Sequence, residues 1–428
     1  MRTPPPVSAA AALGLAALLV PTLPASAQPQ TYVRALYPAD GEVLDNFGFF
    51  CSLRGNIACV GATRDDDGGS DCGAAYLFDI ATGQQLHKLV PSDGHANMAF
   101  GFSSAVGDGI VAVGAPSNDV PVTGCGAAYL FDIATGQQLA KITAPHPEAG
   151  AQLGQSFAFY GDYLFIGCPF QDFYVGRVYV YNISDPTNPD FVTSFVPPDL
   201  TPLSNFGISI SIDGDRALIG GAFAPNNDNM PTGAAFLYDI SDPAAPVLVR
   251  KFEPMDGWEY DAFGTAVGLY GDLAIVGAFL TDDLGNGSGS AYLFDANTGQ
   301  QLSKMLAFDD AQHTGLGSAV GIVGNYAVVG AVYDDTLGGD AGSVYIFDIT
   351  NRNAPVQVAE FAAPETDAHD GFGISIAFGG DTVVIGAMAA GPGSGAGPGA
   401  AYVFQIDGGV SCPADWDGSG TVNSTDIS

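Results

Sequence analysis

Short apolar stretches separated by glycine-containing turns run through most of this chain. In one of them, residues 208 to 212 alternate apolar and polar, Gly214 and Asp215 follow, and a second apolar stretch runs from Arg216 to Ile219. Strict alternation predicts a half-buried strand, and glycine beside aspartate tolerates the positive φ of a tight hairpin turn. The pattern therefore predicts an antiparallel β-hairpin.

This hairpin recurs seven times. Each copy begins with Phe-Gly or Leu-Gly, and a second glycine follows the first after thirteen residues. Successive first glycines are 53 to 57 residues apart, a period that with short strands is typical of propeller blades. The glycine pairs are Gly48/Gly61, Gly101/Gly114, Gly154/Gly167, Gly207/Gly220, Gly264/Gly277, Gly317/Gly330 and Gly373/Gly386.

Two further strands are predicted in each copy. A polar loop leads to a third strand such as Gly73 to Asp79, and a second turn leads to a fourth such as Gln85 to Val90. The sequence thus predicts an all-β fold, a seven-bladed β-propeller of four-stranded antiparallel blades. An aromatic residue recurs at one place in the third strand, where we expect it to pack between blades. These residues are Tyr76, Tyr129, Tyr179, Phe236, Tyr292, Tyr345 and Tyr402.

The seventh copy lacks a fourth strand, because the chain runs from Phe404 directly into Gly408 and Gly409. Residues 33 to 48 align without a gap on residues 86 to 101, so an outer strand with no blade of its own precedes the first copy. We expect residues 32 to 37 to pair with the blade that contains Tyr402, so that an N-terminal strand completes the last blade and closes the ring.

The Phe100-Gly101 and Gly114-Ala115-Pro116 pattern resembles the FG-GAP repeats of the integrin α-subunit propeller, over about residues 31 to 407. In that family several blades insert a calcium loop between the Phe-Gly and the Gly-Ala-Pro. Here the thirteen-residue interval leaves only a two-residue turn, which cannot supply the six or more oxygen ligands of calcium. We expect no calcium at these turns.

The first residues have the composition of a secretory signal peptide. Arg2 precedes a mostly apolar run from Val7 to Val20, and small residues end at Ala27. The run is short for a membrane span, and no later segment has 18 uninterrupted apolar residues. We therefore expect an exported protein, extracellular or at the cell surface, with no membrane span. The expected domains are residues 1–27 (signal peptide), 28–409 (propeller) and 410–428 (tail).

The tail has the spacing of an EF-hand calcium loop, with oxygen donors at positions 1, 3, 5, 9 and 12, glycine at position 6 and a backbone carbonyl at position 7. It resembles the first half of a dockerin, a secreted module that docks onto cohesin domains, so the resemblance implies a cohesin-like partner. The second half is absent, so we expect a truncated module that binds Ca²⁺ weakly by itself. The predicted ligands are Asp415, Asp417, Ser419, Thr421, Asn423 and Asp426.

Twelve basic against 46 acidic residues give a formal net charge of −34, which excludes nucleic acid and anionic membranes as favourable partners. Several acids lie in the loops between second and third strands. Asp65, Asp67 and Asp71 are candidates for a cation site, although a solvated loop is favoured. Because the strand order is the same in every blade, these loops share one face of the disc, which is the predicted recognition face.

Six cysteines permit disulfides or buried thiols, and their pairing does not follow from spacing. Cys51 and Cys59 flank one predicted hairpin and are candidates for cross-strand neighbours. Catalytic motifs of the HExxH, G-x-S-x-G and P-loop types are absent from the sequence, and no catalytic residue is assigned.

Three functions remain open. The leading hypothesis is a secreted, non-catalytic binding or scaffold propeller that recognises protein or carbohydrate and attaches to a partner through its calcium-binding tail. The competing hypotheses are a dockerin-bearing glycoside hydrolase or lyase that degrades polysaccharide, and a structural envelope or matrix protein. Phe170, Phe173 and Tyr174, in the shortened loop of the third repeat, suit sugar stacking, but filling space beneath the loop is favoured.

Overall fold

Seven four-stranded antiparallel sheets surround a central channel. This computed structural model describes residues 29–307, 314–336, 338–365, 367–391 and 397–406. The predicted all-β, seven-bladed propeller is confirmed. Within the described residues no helix is long and apolar enough to span a membrane.

The strands are grouped by their place in the blade. The first strands line the channel: β2 Phe47–Arg54, β6 Ser104–Val106, β10 Phe157–Tyr160, β14 Phe206–Asp213, β18 Ala266–Tyr270, β22 Leu316–Val323 and β26 Phe372–Gly379. The second strands are β3 Ile57–Ala62, β7 Ile110–Ala115, β11 Tyr163–Cys168, β15 Arg216–Gly221, β19 Leu273–Ala278, β23 Tyr326–Ala331 and β27 Thr382–Ala387.

The third strands are β4 Ala74–Asp79, β8 Ala127–Asp132, β12 Arg177–Asn182, β16 Ala234–Asp239, β20 Ser290–Asp295, β24 Ser343–Asp348 and β28 Ala400–Ile406. The outer strands are β1 Gln30–Leu36, β5 Gln84–Leu89, β9 Gln138–Ile142, β13 Asp190–Phe195, β17 Val247–Phe252, β21 Gln301–Met305 and β25 Val356–Phe361. One short helical turn, α1 (Gln171–Tyr174), interrupts the third blade.

The last blade takes its outer strand from the beginning of the described chain. β1 pairs antiparallel with β28, with Gln30 opposite Ile406 and Ala35 opposite Tyr402. The first and last blades also meet directly, because the Phe47 amide donates a hydrogen bond to the Pro398 carbonyl at 2.8 Å. The sheet edge of β28 is thereby covered.

The paired glycines form a closed ring of backbone contacts. Within a blade the two glycines are hydrogen-bonded, as where the Gly101 amide donates to the Gly114 carbonyl at 3.0 Å. Between blades, a Cβ on each second glycine would overlap the carbonyl oxygen of the next blade's first glycine, so Gly114 abuts Gly154. The last of these contacts joins Gly386 to Gly48 and closes the ring. The first glycines have φ between 87° and 96°, which further favours glycine.

The recurrent aromatic residues of the third strands are buried next to this ring. Tyr76 packs edge-to-face on Phe47 with ring centroids 5.4 Å apart, and the pair lies in a core cluster with Val384 and Ala401 of the last blade. The predicted packing between blades is therefore confirmed for Tyr76. Edge-to-face geometry is the favourable arrangement for such rings.

The propeller has two unlike faces. The loop face carries the connections from second to third strands and from each outer strand to the next blade, and the turn face carries the short turns within each blade. Polar and acidic loops are thus gathered on one face, as the strand order predicts.

The five described cysteines are buried free thiols. Cys51 lies opposite Val60, and Cys59 lies opposite Ser52. Since adjacent residues of a strand point to opposite faces of its sheet, the two cysteines project to different sides. The suggestion that they are cross-strand neighbours is wrong.

Gly220→Ala is expected to lower the free energy of unfolding by at least about 2 kcal/mol, because the new Cβ would overlap the Gly264 carbonyl oxygen. Gly214→Asn is the matched control, since Gly214 lies in open space with φ of 54°, a conformation that asparagine tolerates. Urea denaturation of both variants measures the difference. Equal stability of the two would contradict the close approach between blades.

Candidate functional site

All four lysines of the sequence occupy one equivalent position on the loop face. Each lies in an outer strand, directly opposite the recurrent aromatic residue of the third strand: Lys88 opposite Tyr76, Lys141 opposite Tyr129, Lys251 opposite Phe236, and Lys304 opposite Tyr292. The ammonium groups lie 5.0 to 5.9 Å from the ring centroids, within cation–π range.

In the first blade, Lys88 is surrounded by carboxylates. Its Nζ lies 2.8 Å from Asp40 and 2.8 Å from Asp65, and it also contacts Asp67. The Tyr76 hydroxyl donates to Asp65 at 2.8 Å. Burial lowers the pKa of Lys88, but its hydrogen bonds to the three carboxylates outweigh this effect and raise it. The lysine therefore stays charged. Its ion pairs connect the outer strand to the loop of Asp40 and to the loop of Asp65 and Asp67.

Similar clusters occur in the second and fifth blades. Lys141 pairs with Asp93, which accepts from the Tyr129 hydroxyl at 2.9 Å. Lys304 pairs with Asp256 at 2.7 Å and with Asp283 at 2.6 Å. The shared arrangement links the loop before the blade, the outer strand and the third strand.

These contacts test whether Asp65, Asp67 and Asp71 form the cation site for which the sequence makes them candidates. The structure brings Asp65 and Asp67 together on the Lys88 ammonium, whereas Asp71 turns away to Arg64 at 3.8 Å. Among the described residues, no group of three or more His, Cys, Asp or Glu side chains is arranged to hold a metal ion. The three aspartates do not converge on one site.

A second feature of the loop face is a run of exposed apolar side chains on the third and fourth blades and the loop that follows. Phe173 is 85% exposed, Trp258 73% and Tyr260 61%. We call this surface the aromatic sector, consisting of the exposed Phe173, Tyr174, Leu203, Trp258 and Tyr260 together with the partly buried Phe223. Exposed apolar side chains gathered on one part of a surface are typical of a binding site.

Backbone contacts join the loops of the aromatic sector. The Leu203 amide donates to the Phe173 carbonyl at 3.3 Å, and the Phe223 amide donates to the Ser204 carbonyl at 3.3 Å. The Phe223 and Tyr260 rings lie 6.2 Å apart. The loops that carry the sector are therefore joined to one another.

The aromatic sector is built on unfavourable backbone conformations. Phe173, Tyr174, Leu203 and Tyr260 have φ of 59°, 67°, 74° and 69°. Positive φ costs a bulky side chain about 1 to 2 kcal/mol per residue. The equivalent loop position also has positive φ at Leu44, Asn97, Gly150 and His369, where only the glycine and the asparagine suit that conformation. Stability alone does not explain large apolar residues here, and such strain is common at ligand sites.

The exposure of the α1 side chains corrects one expectation. Space filling was favoured for Phe170, Phe173 and Tyr174, yet Phe173 points into solvent and Tyr174 is 49% exposed. Only Phe170 is partly covered, with its ring 5.2 Å from that of Tyr174. The physical reason is that Asp172, Phe173 and Tyr174 all have positive φ, which reverses the chain tightly and turns the side chains outward.

Polar anchors hold the loops of the aromatic sector. Arg177 donates two hydrogen bonds to Asp172, at 2.8 and 3.2 Å, and fixes the α1 turn. The buried carboxylate of Asp261 accepts from the Trp258 amide at 2.7 Å. Burial raises the pKa of Asp261, although this hydrogen bond opposes the shift. Asp45, at the same loop position before the first blade, has a pKa raised by burial to about 6.

The central channel is a large concave feature, with a volume of about 1720 Å³. Its wall combines apolar side chains of the first strands with hydroxyls, several of which are used within the fold. Ser156 and Ser209, for example, donate to glycine carbonyls of the next blade at 2.8 Å. At the turn-face mouth, Asp108 pairs with Arg54 and Asp215 accepts from Tyr160. These carboxylates serve contacts between blades.

The predicted calcium ligands of the tail, Asp415, Asp417, Ser419, Thr421, Asn423 and Asp426, lie outside the described residues. Sequence reasoning missed the lysine clusters and most of the aromatic sector. A usable signal existed for the lysines: in three blades the lysine follows the recurrent tyrosine by twelve residues. Trp258 and Tyr260 carry no such signal, because their importance lies in exposure.

Comparison with known proteins agrees with the architecture. The FG-GAP repeat model matches residues 31–78, 84–131, 247–294, 300–347 and 355–404, more than half of the chain. Each match starts at or just before an outer strand and ends in the third strand of the next blade. No curated protein matches. The crystal structure of the RRP9 WD40 repeats is similar, with a TM-score of 0.56, 12% identity, and coverage of 87% of this chain and 97% of that chain. At this identity the similarity shows the propeller fold alone.

Lys88→Met is expected to lower the free energy of unfolding by about 3 kcal/mol at pH 7, because the buried Asp65 carboxylate would lose its cationic partner. The loss should shrink when Asp65→Asn is added, since the amide removes that charge. Lys141→Met is the control with a smaller expected loss, because its partner Asp93 is 42% exposed. Chemical denaturation measures all three, and equal losses for the two single variants would contradict the assignment.

Proposed function

This chain belongs to the FG-GAP repeat family, and we propose that it is an exported, non-catalytic binding propeller that recognises its ligand through the aromatic sector of the loop face. The family and the fold are consistent with a binding or scaffold role. Fold by itself does not name a function, so the proposal depends on the site.

The observation that carries the proposal is the coincidence of exposure and strain at the aromatic sector. Many aromatic residues elsewhere in the blades are buried in pairs, such as Phe47 with Tyr76 and Phe100 with Tyr129, and the exposed ones in the described chain, such as Tyr270, are not at positive φ. In the sector, Phe173 and Tyr260 are exposed on positive-φ backbone, at a cost that a bound ligand offsets. Tyrosine and tryptophan are also the residues most often found at the centre of binding surfaces.

We propose that the tail attaches the propeller to a cohesin-like partner through Ca²⁺. The described strand nearest the tail, β28, ends at Ile406, whose amide donates to the Asp381 carbonyl on the turn face. An attachment there lies on the opposite side of the disc from the aromatic sector, so both contacts fit on one molecule. The signal peptide predicted for residues 1–27 supports export to the compartment where such assemblies form.

Tyr260→Asn is expected to abolish ligand binding without loss of stability. Asparagine removes the ring but tolerates the φ of 69°, so the free energy of unfolding should stay unchanged or rise by up to about 1 kcal/mol. The measurement is a screen of glycans and extracellular proteins for binding, with product analysis for turnover, on the purified chain and the variant.

Tyr270→Ser is the matched control, because Tyr270 is an exposed tyrosine on the turn face. Binding that the control retains and Tyr260→Asn loses supports the proposal. Turnover of any glycan would overturn the non-catalytic assignment, and binding that survives Tyr260→Asn would remove the sector from the site.

For the tail, calorimetry on the complete calcium-binding module should show Ca²⁺ uptake that disappears in Asp415→Ala. Asp415 supplies the first ligand of the proposed loop, and a calcium site loses much of its affinity with one carboxylate. Asp407→Ala, outside the loop, is the control. Uptake that is unchanged by Asp415→Ala would refute the ligand assignment.

A further inference from the structure

We infer that the ligand of the aromatic sector is an uncharged, hydroxyl-rich carbohydrate chain that extends over more than one sugar ring. This inference rests on the proposed binding function of the sector. It follows from the sign of the local charge, the available hydrogen-bond partners and the size of the exposed surface.

Every described lysine and arginine of the loop face is paired with a carboxylate. Near the sector, Arg177 contacts Asp172 at 2.8 Å and Lys251 contacts Glu253 at 2.5 Å. Farther round the same face, Arg64, Lys88, Lys141 and Lys304 are paired in the same way. No unpaired lysine or arginine of the described loop face is therefore available to bind an anion.

The exposed polar groups beside the sector combine several carboxylates with the amides of Asn227 and Asn229. Glu148, Asp228 and Glu259 are exposed acids on its loops, and Asp172 is half-exposed. A carboxylate accepts hydrogen bonds but donates none, so it selects a ligand with many donors. Hydroxyl groups meet that requirement without introducing negative charge. An anionic polymer would face repulsion with no compensating cation.

The size of the sector argues against a protein partner. A stable protein interface of ordinary size uses about 20 to 30 residues on each side. The aromatic sector offers six apolar side chains with acids around them. Ligand pockets for small molecules combine a few aromatic side chains with a few polar groups, which is the composition found here. The C–H face of a sugar ring supplies the apolar surface that stacks on such side chains.

The sector is too extended for one sugar. Phe173 belongs to the third blade, and Trp258 to the loop between the fourth and fifth blades. Packed sheets lie about 10 Å apart, so a ligand that contacts both residues extends beyond a single ring. Affinity should therefore increase with the length of the carbohydrate chain.

The test uses the purified chain on an array of neutral oligosaccharides and their component monosaccharides, with oligogalacturonate as the anionic probe. We expect at least one neutral hexasaccharide to bind, its monosaccharide to bind at least tenfold more weakly, and oligogalacturonate not to bind. Trp258→Ala and Phe173→Ala should each weaken hexasaccharide binding at least tenfold. Unfolding temperatures of the variants verify that these exposed substitutions leave the fold intact.

The outcomes separate this inference from the proposed function. Binding of oligogalacturonate at the sector, or of no neutral glycan, overturns the carbohydrate assignment. If a protein from the screen binds and Tyr260→Asn abolishes that binding, the sector is still a binding site and only the ligand class is wrong. If hexasaccharide binding is unaffected by Trp258→Ala and Phe173→Ala, the ligand lies elsewhere and both proposals fail.

Discussion

The close approach of backbone at the glycine ring is the constraint on which the rest of this propeller depends. Seven times around the disc, the second glycine of one blade lies against the carbonyl of the next blade's first glycine, with no room for a Cβ. The same ring fixes the hairpin length, because the first glycine of a blade donates to the second, as Gly101 does to Gly114 and Gly264 to Gly277. Neither glycine can move without disturbing two blades at once.

Because the ring fixes the inner part of every blade, differences between blades are concentrated in the loops. The loop face therefore carries most of the distinctive chemistry. In two blades an outer-strand lysine pairs with aspartates of two loops: Lys88 with Asp40 and Asp65, and Lys304 with Asp256 and Asp283. The protein has a net charge of −34 and few basic residues, and its four lysines all lie in ion pairs within the fold. The face is left acidic and rich in hydrogen-bond acceptors.

The aromatic sector differs from the rest of the loop face. Its blades keep the glycine ring, yet they place Phe173, Leu203 and Tyr260 on strained backbone in contact with solvent. Local stability would favour glycine or asparagine at such positions. Leu44 shows the same strain before the first blade, but among the described residues only in the sector do several strained apolar side chains lie together, as is expected at a functional site.

The sequence alone determined the number of blades, the strand order within them and the burial of residues such as Tyr76, because glycine spacing and strand alternation are local signals repeated seven times. Only the tertiary structure decided which side chains meet on the loop face. Lys88 meets Asp40 across 48 residues, and the loops of Phe173 and Leu203 meet across 30, through contacts that no local pattern records. The outward orientation of the Phe173 side chain depends on positive φ at three successive non-glycine residues, 172 to 174. Its exposure is therefore visible only in the folded chain.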